Sequence, residues 1–535
     1  MVSADNLNFD CLELIFTHLA GNDLVSVSLV SRSFLAAAIP QLYRTLVFGL
    51  NQSKRYPSII SPFAAVLAHS NLASHVRHIG SHRVDLRAVP TTKSVHQPKF
   101  LDECARTVAL CKNLGSFTCT LDIMPIFLPS LCDKESLEQT RFIANFTADQ
   151  SAQMLQMSGL RELTLDSGTW NVVDALPKWA DSLKPTLTSL TLHSIQSLSL
   201  DILDTILPNL PNLTRLHVIG CPKVHHTAVL RAISHTPNLE SLAFTSYESS
   251  SPLPPVIAPL PRLRHLAVDT QAAPSPANTT PAFWTTVVDL TRTWSCPLKS
   301  LTLRLSDRVT LSDAFIANIV DAHHATLTHL AILNCSLSKD SVARICRACT
   351  ELERFALSLP AKDAKAFSEA IARAKRIHTV TDVGDLHSSH NPRPPLSKLD
   401  IRTIMARQET LERVVADGRV WTVRAPSTRA LPAALSALCV WSLMLIPARG
   451  RRRRTGGAQP CVQGGRVWDP RGEEEGRDAA TLVHAARVGR VAMNLDCQPI
   501  DVLRPRPAAC ADTGDTRTEV SDASDLGGNC APLWP

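Results

Sequence analysis

The side chains of this sequence that could do chemistry fall into a few short constellations. Cys346-Arg-Ala-Cys349 has the spacing of half a zinc site or of a redox pair, but no second cysteine pair stands at zinc-ligand distance. His225-His226, His323-His324 and the ends of His387–His390 offer imidazoles without a matched acidic or cysteine partner. Cys11 is a single thiol in an apolar stretch, where packing explains it better than nucleophilic attack. The chain has no phosphate-cradling GxxxxGK, no HExxH, no GxSxG and no kinase-type set of motifs. We therefore expect a protein that is not an enzyme, needs no cofactor and holds no metal.

What must position these side chains is a long, mildly basic chain. It has 535 residues, with 55 Lys+Arg against 48 Asp+Glu, a net charge of +7. That balance is too weak to point to nucleic acid, which wants a dense basic face. Hydrophobic residues make up 44% of the chain, so it can build a sizeable core. The 15 cysteines form no spaced framework, and the first residues have neither a basic leader nor an apolar run. Reduced thiols in the cytoplasm or nucleus are the expectation. Eleven of the 20 glycines lie in residues 425–535, and no lysine follows Lys398. That last segment, with an arginine run at Arg451–Arg454, is expected to be a disordered low-complexity tail. Its apolar run Leu431–Ile446 is short for a membrane span and is interrupted by Pro432, so membrane association is not expected.

The body of the chain repeats. A Leu-x-x-Leu-x-Leu phrase starts at Leu160, Leu187, Leu213, Leu239, Leu263, Leu298, Leu327 and Leu352, at intervals of 27, 26, 26, 24, 35, 29 and 25 residues. A weaker copy at Leu114-x-x-Phe117 begins the series, and Ile377-x-x-Val380 continues it. Between the phrases, Asp201–Leu210, Ala228–His235 and Ser341–Cys349 carry apolar residues at helical spacing. Each unit is thus a strand followed by a helix, which buries its apolar edge only by stacking on its neighbours. The expected architecture is α/β, a leucine-rich-repeat solenoid over 114–424. Two copies resemble the repeat class with a cysteine after the strand, ending in Cys221 and Cys335. Leu411, Val414 and Val415 suggest a helical face in a terminal cap, and Ala273–Pro281 a surface insertion. Period-2 alternation turns the residues beside the buried leucines onto the concave face. Those candidate substrate contacts are Glu162, Thr164, His193, Arg215, His217, His265, Asp269, Arg304, His329 and Arg354. Basic groups prevail in the later repeats, which favours an acidic or phosphorylated binding segment.

Ahead of a connecting helical region at 49–113, residues 1–48 read as three short helices. Phe9, Leu12, Ile15, Phe16 and Leu19 share one face, Asn8 and Asp23 stand as caps, and Pro40 closes the third helix. This module resembles the F-box. The matching residues are Leu7, Leu12, Ile15-Phe16, Leu19, Asp23-Leu24, Val30-Ser31-Arg32 and Phe34, with Asn8, Ser31 and Phe34 replacing the usual proline, cysteine and tryptophan. The resemblance implies a substrate receptor of an SCF (Skp–cullin–F-box) ubiquitin ligase. Its F-box would dock on a Skp-type adaptor, linking it to cullin and RING subunits, and its repeats would hold an unidentified protein substrate. Adaptor contacts implied in this way are Leu7, Leu12, Ile15, Phe16, Leu24, Val27 and Val30. A repeat scaffold whose degenerate F-box recruits no ligase is the alternative.

Overall fold

In a computed structural model, residues 8–80, 90–92, 95–247, 257–271, 280–383, 395–417 and 419–422 are described. Leu7, His387–His390, Leu431–Ile446, most of Ala273–Pro281 and the whole 425–535 segment lie outside them.

Three helices open the chain: α1 (Phe9–Phe16), α2 (Asn22–Ser28) and α3 (Arg32–Leu42). Leu12, Phe16, Leu24, Ala37 and Ala38 form a small core of their own, with the Phe16 and Phe34 rings 5.4 Å apart. The capping differs from expectation. Asn8 precedes α1 without a side-chain cap, and α2 begins at Asn22 rather than after Asp23. Ser31 caps α3 by accepting the Phe34 N–H, and Pro40 lies inside that helix instead of ending it. A proline at that depth costs one backbone hydrogen bond.

The remainder is one sheet. Its strands are β1 (Thr45–Leu46), β2 (His78–Ile79), β5 (Ser116–Cys119), β6 (Gln139–Ile143), β7 (Glu162–Asp166), β8 (Ser189–His193), β9 (Arg215–Ile219) and β10 (Ser241–Tyr247). They continue as β11 (His265–Gln271), β12 (Ser300–Thr310), β13 (His329–Ser336), β14 (Arg354–Leu357), β15 (Thr379–Asp382), β16 (Arg413–Ala416) and β17 (Arg419–Thr422). A separate hairpin joins β3 (Thr91–Thr92) to β4 (Val95–His96). In the sheet each strand pairs in parallel with the next, except that β16 and β17 are antiparallel. Parallel neighbours need crossovers, and helices such as Trp170–Leu183, Ala282–Thr293 and Asp313–His323 supply them. The fold is α/β, a long parallel sheet backed by helices.

The register explains the repeat. Leu163, Leu190, Leu216, Leu242, Leu266, Leu301, Leu330, Phe355, Val380 and Val414 are successive partners. All are buried in one continuous core. The two fully buried indoles are satisfied: Trp179 donates to the Met157 carbonyl at 2.9 Å, and Trp284 to Thr270 Oγ1 at 2.8 Å.

Two sequence expectations change here. The sheet starts well before residue 114, because Tyr43-x-x-Leu46-x-Phe48 and Val76-x-x-Ile79 are short copies of the phrase and supply β1 and β2. A further copy, Leu137-x-x-Thr140-x-Phe142, forms β6, its second leucine replaced by a buried threonine. It divides the long interval from Leu114 to Leu160 into equal halves. At the other end Leu411, Val414 and Val415 belong to a strand approach, not a helix. Alternation buries Val414 and Ala416, while antiparallel β17 covers the edge that a further repeat would have used.

Candidate functional surfaces

The first surface is the apolar side of the N-terminal module. Its helices are too short to cover both of their sides. Leu12 and Phe16 point into the module core, and the opposite stripe of α1, with Cys11, Leu14, Ile15 and His18, is exposed. Leu14 is 66% exposed, Ile15 47% and Val30 66%, and Phe9 and Leu29 lie open nearby in sequence. Of the expected adaptor contacts, Ile15 and Val30 are therefore available. Val27 is half-buried against the module core. Leu12, Phe16 and Leu24 are not available, because together with Ala37 and Ala38 they build the module's own core. The exposed Phe9, Leu14 and Leu29 were not singled out from sequence. Their signal is that they are apolar residues on the face left over once the core stripe is assigned.

The second surface is the face of the sheet turned away from the helices, the one the repeat pattern expects to be concave. At the first position of successive strands stand Glu162, Ser189, Arg215, Ser241, His265, Ser300, His329, Arg354, Thr379 and Arg413. Arg215, His265 and Arg354 are exposed, whereas Glu162 and His329 are half-buried. Arg215 lies 3.8 Å from Glu162 and donates to Ser189 Oγ at 3.4 Å. Ser300 Oγ lies 3.2 Å from His329 Nδ1. At the third position Thr164 is half-buried, and His217 sits between Thr191 Oγ1 at 3.4 Å and Ser241 Oγ at 3.0 Å. Burial, then the charge of Arg215 and the neighbouring His265, push the His217 imidazole down to about 3.

An ionic row lies further along the strands, with Asp166, His193, Asp269 and Arg304 at the fifth position and Arg141 at the third position of β6. Arg141 Nε donates to Asp166 Oδ2 at 2.9 Å, and His193 Nδ1 lies 3.1 Å from Asp166 Oδ1. Burial alone would raise the Asp166 carboxyl, but its hydrogen bond with His193 and the charge of Arg141 bring it below its ordinary value. Arg304 lies 3.8 Å from Asp269. Asp269 corrects an expectation: it is buried, and burial raises its carboxyl more than Arg304 lowers it, so it supports Arg304 rather than meeting a ligand. Asp166 and Arg141 were missed because a lone charged residue at the end of a leucine phrase has no distinguishing spacing.

His193 Nε2 also lies 3.4 Å from Ser194 Oγ, giving an Asp166–His193–Ser194 chain of contacts. The neighbouring backbone donors are committed elsewhere. Ser194 N–H donates to the Ile219 carbonyl, and Gly220 N–H to Thr245 Oγ1. An oxyanion would need such donors free. The left-handed backbone of Ser194 recurs just after other strands, at Ser167 and Gly220, and marks the repeat's turn.

Elsewhere the reactive groups are packed away. Cys346 and Cys349 are buried, their thiols pushed up to about 12 and about 11, chiefly by burial. Cys221 Sγ lies 3.7 Å from the Leu192 carbonyl and Cys335 Sγ 3.4 Å from that of Leu333, so both tie strand ends. His226 stacks on Phe283, and His323 lies 2.9 Å from Thr291 Oγ1. Among the described residues no cluster of three or more potential metal ligands occurs, and no helix is long and apolar enough to cross a membrane.

No family model matches the chain, and no curated protein matches it. Among solved structures it is similar to the Rad7 and Elc1 complex in yeast, at 14% identity and a TM-score of 0.35, over 59% of this chain and 83% of that one. It is also similar to a leucine-rich-repeat protein of Leptospira interrogans, at 15% identity and a TM-score of 0.27, over 63% of this chain and 84% of that one. Neither likeness is strong enough to bear on function.

Proposed function

We propose that this chain is a non-catalytic substrate receptor of an SCF-type ubiquitin ligase, acting in the cytoplasm or nucleus. The N-terminal helices serve as an F-box that docks on a Skp-type adaptor, and the repeat sheet holds a protein substrate. The observation that carries this reading is that Leu14, Ile15 and Val30 are exposed on a module whose core is built from other residues. Apolar residues left uncovered at this density suit a helix-in-groove contact. The mechanism is proximity: one scaffold holds the substrate at a fixed distance from the charged conjugating enzyme, raising its effective concentration. The concave sheet, wide and polar, suits a protein segment better than a small molecule.

The test is binding of the purified chain to a purified Skp-type adaptor. Ile15→Asp with Val30→Asp should weaken binding by more than about a hundredfold, since buried anchors dominate such interfaces. The same variant should melt like the parent. Well-folded parent protein that fails to bind any Skp-type adaptor would leave the repeats as a stand-alone interaction scaffold.

A further inference from the structure

The basic residues of the concave face are spaced by the sheet itself. From β9 to β14 the first strand position reads Arg215, Ser241, His265, Ser300, His329, Arg354, so a serine strand stands between Arg215 and His265 and another between His265 and His329, while Arg354 directly follows His329. Neighbouring strands lie about 4.8 Å apart, so Arg215, His265 and His329 recur every ~9.6 Å. A polypeptide in the extended polyproline-II conformation advances about 3.1 Å per residue with three residues per turn, so every third side chain returns to the same face after ~9.3 Å. Beside this row the third position holds His217 on β9 and then, from β10 on, Ala243, Ala267, Thr302, Ala331 and Ala356 in register. The short side chains from β10 on leave room for a backbone to lie along the row.

We propose that the row Arg215, His265 and His329, flanked on the next strand by Arg354, binds an extended, carboxylate-rich polypeptide segment whose acidic residues recur at every third position. This rests on the reading of the sheet as the receptor's substrate surface. It narrows that reading from a protein substrate to an acidic motif of defined period.

The electrostatics of the row agree. His265 is held below its ordinary value by burial and by Arg215, Lys299 and Arg264, with Glu240 opposing. His329 is pushed down to about 4 by burial, Arg354 and His265. Both imidazoles are thus kept neutral beside the guanidinium charges of Arg215 and Arg354, and an arriving carboxylate can pair with those charges and accept an N–H from a neutral ring. A single phosphate fits less well, because it wants donors converging on one point and the serine strands hold these apart. Single-stranded RNA fits less well too: none of the first, third or fifth positions of β9 to β14 carries a Phe, Tyr or Trp ring to serve as a stacking platform.

The experiment is fluorescence anisotropy on the full chain with two labelled Gly/Ser peptides of identical composition. One carries glutamate at every third residue and the other carries the same glutamates in one block. The spaced peptide should bind about tenfold tighter than the blocked one. Arg215→Glu with Arg354→Glu should abolish that preference, and His265→Gln with His329→Gln should weaken it without reversing charge. Adaptor binding and melting temperature, read on the same samples, should not change. Equal affinity for the two peptides, or a parent-like response of both variants, would overturn the proposal. So would tighter binding of a singly phosphorylated peptide or of oligouridylate. Failure at the sheet with adaptor binding intact removes the acidic motif alone. Failure of both removes the receptor reading as well.

Discussion

The N-terminal helices and the repeat sheet solve the same problem, how to cover apolar surface, in opposite ways. In the sheet every strand meets its apolar match on the next, from Leu163 through to Val414, and β17 closes the end. Its open face is consequently polar, with Arg215, His265 and Arg354 in solvent. The module has no next copy. It spends Leu12, Phe16 and Leu24 on its own core and leaves Leu14, Ile15 and Val30 uncovered. A repeat array supplies its own partner, whereas a short helical cluster must borrow one. One end of the molecule is thereby suited to apolar docking and the other to polar recognition.

That contrast can be broken in several places. The largest effect should come from the leucine ladder. Leu216→Ala removes a side chain packed against Leu190 and Leu242 and should cost about 2–5 kcal/mol in chemical denaturation. A loss near that of a surface substitution would mean that the repeats do not share one core.

Acid should divide the two regions next. His217 is pushed down to about 3, and His226, His323 and His329 to about 4, with burial the leading cause for each. The unfolded chain takes up these protons near pH 6.5 and the folded chain only far below. The stability they contribute is therefore complete above pH 6.5 and declines as pH falls towards 4. All four lie in the sheet region, and the exposed His18 is the histidine of the module. Thermal melts from pH 7 to pH 5 should show the repeats losing stability, with the helix signal of residues 8–42 following only as their support is lost. Acid-insensitive repeats would contradict the burial of these imidazoles.

A smaller effect is expected at the ionic row. Asp166→Asn keeps the shape but removes the charge that Arg141 and His193 share, and should cost about 1–3 kcal/mol, discounted because Arg141 is partly solvated. Denaturant midpoints of Asp166→Asn and Arg141→Gln, alone and together, would show whether the two losses couple. Strict additivity would mean that the pair does not act as one. The smallest effect belongs to the module's open side. Ile15→Ala and Val30→Ala should change stability by less than about 0.5 kcal/mol, because they remove no packed neighbour. A large loss there would show that this face is core after all.

The repeat was legible because a leucine phrase with a fixed inner spacing has a single physical solution, a parallel strand stacked on its copies. Where one letter of the phrase changed, legibility failed. Thr140 hid β6, and β1 and β2 were too short to announce a period. Leu411, Val414 and Val415 read as a helical face, since a spacing of three and four also fits a leucine phrase entering a strand. Alternation puts the first-position residues on the open face, where Arg215, His265 and Arg354 are exposed. Asp269 is buried instead, because burial at a strand's far end depends on what flanks it.

Sequence alone determined the α/β repeat, the three-helix start and the side of each strand that faces the core, because all three follow from local periodicity. Only the tertiary structure decided which apolar residues of α1 to α3 are core and which are surface. A short amphipathic helix has more apolar residues than one neighbour can cover, and the choice is made by its neighbour's position. It also decided that the basic side chains of distant repeats stand in one row at alternate strands. Residues more than a hundred positions apart acquire a common spacing only when the sheet hydrogen-bonds its strands into register.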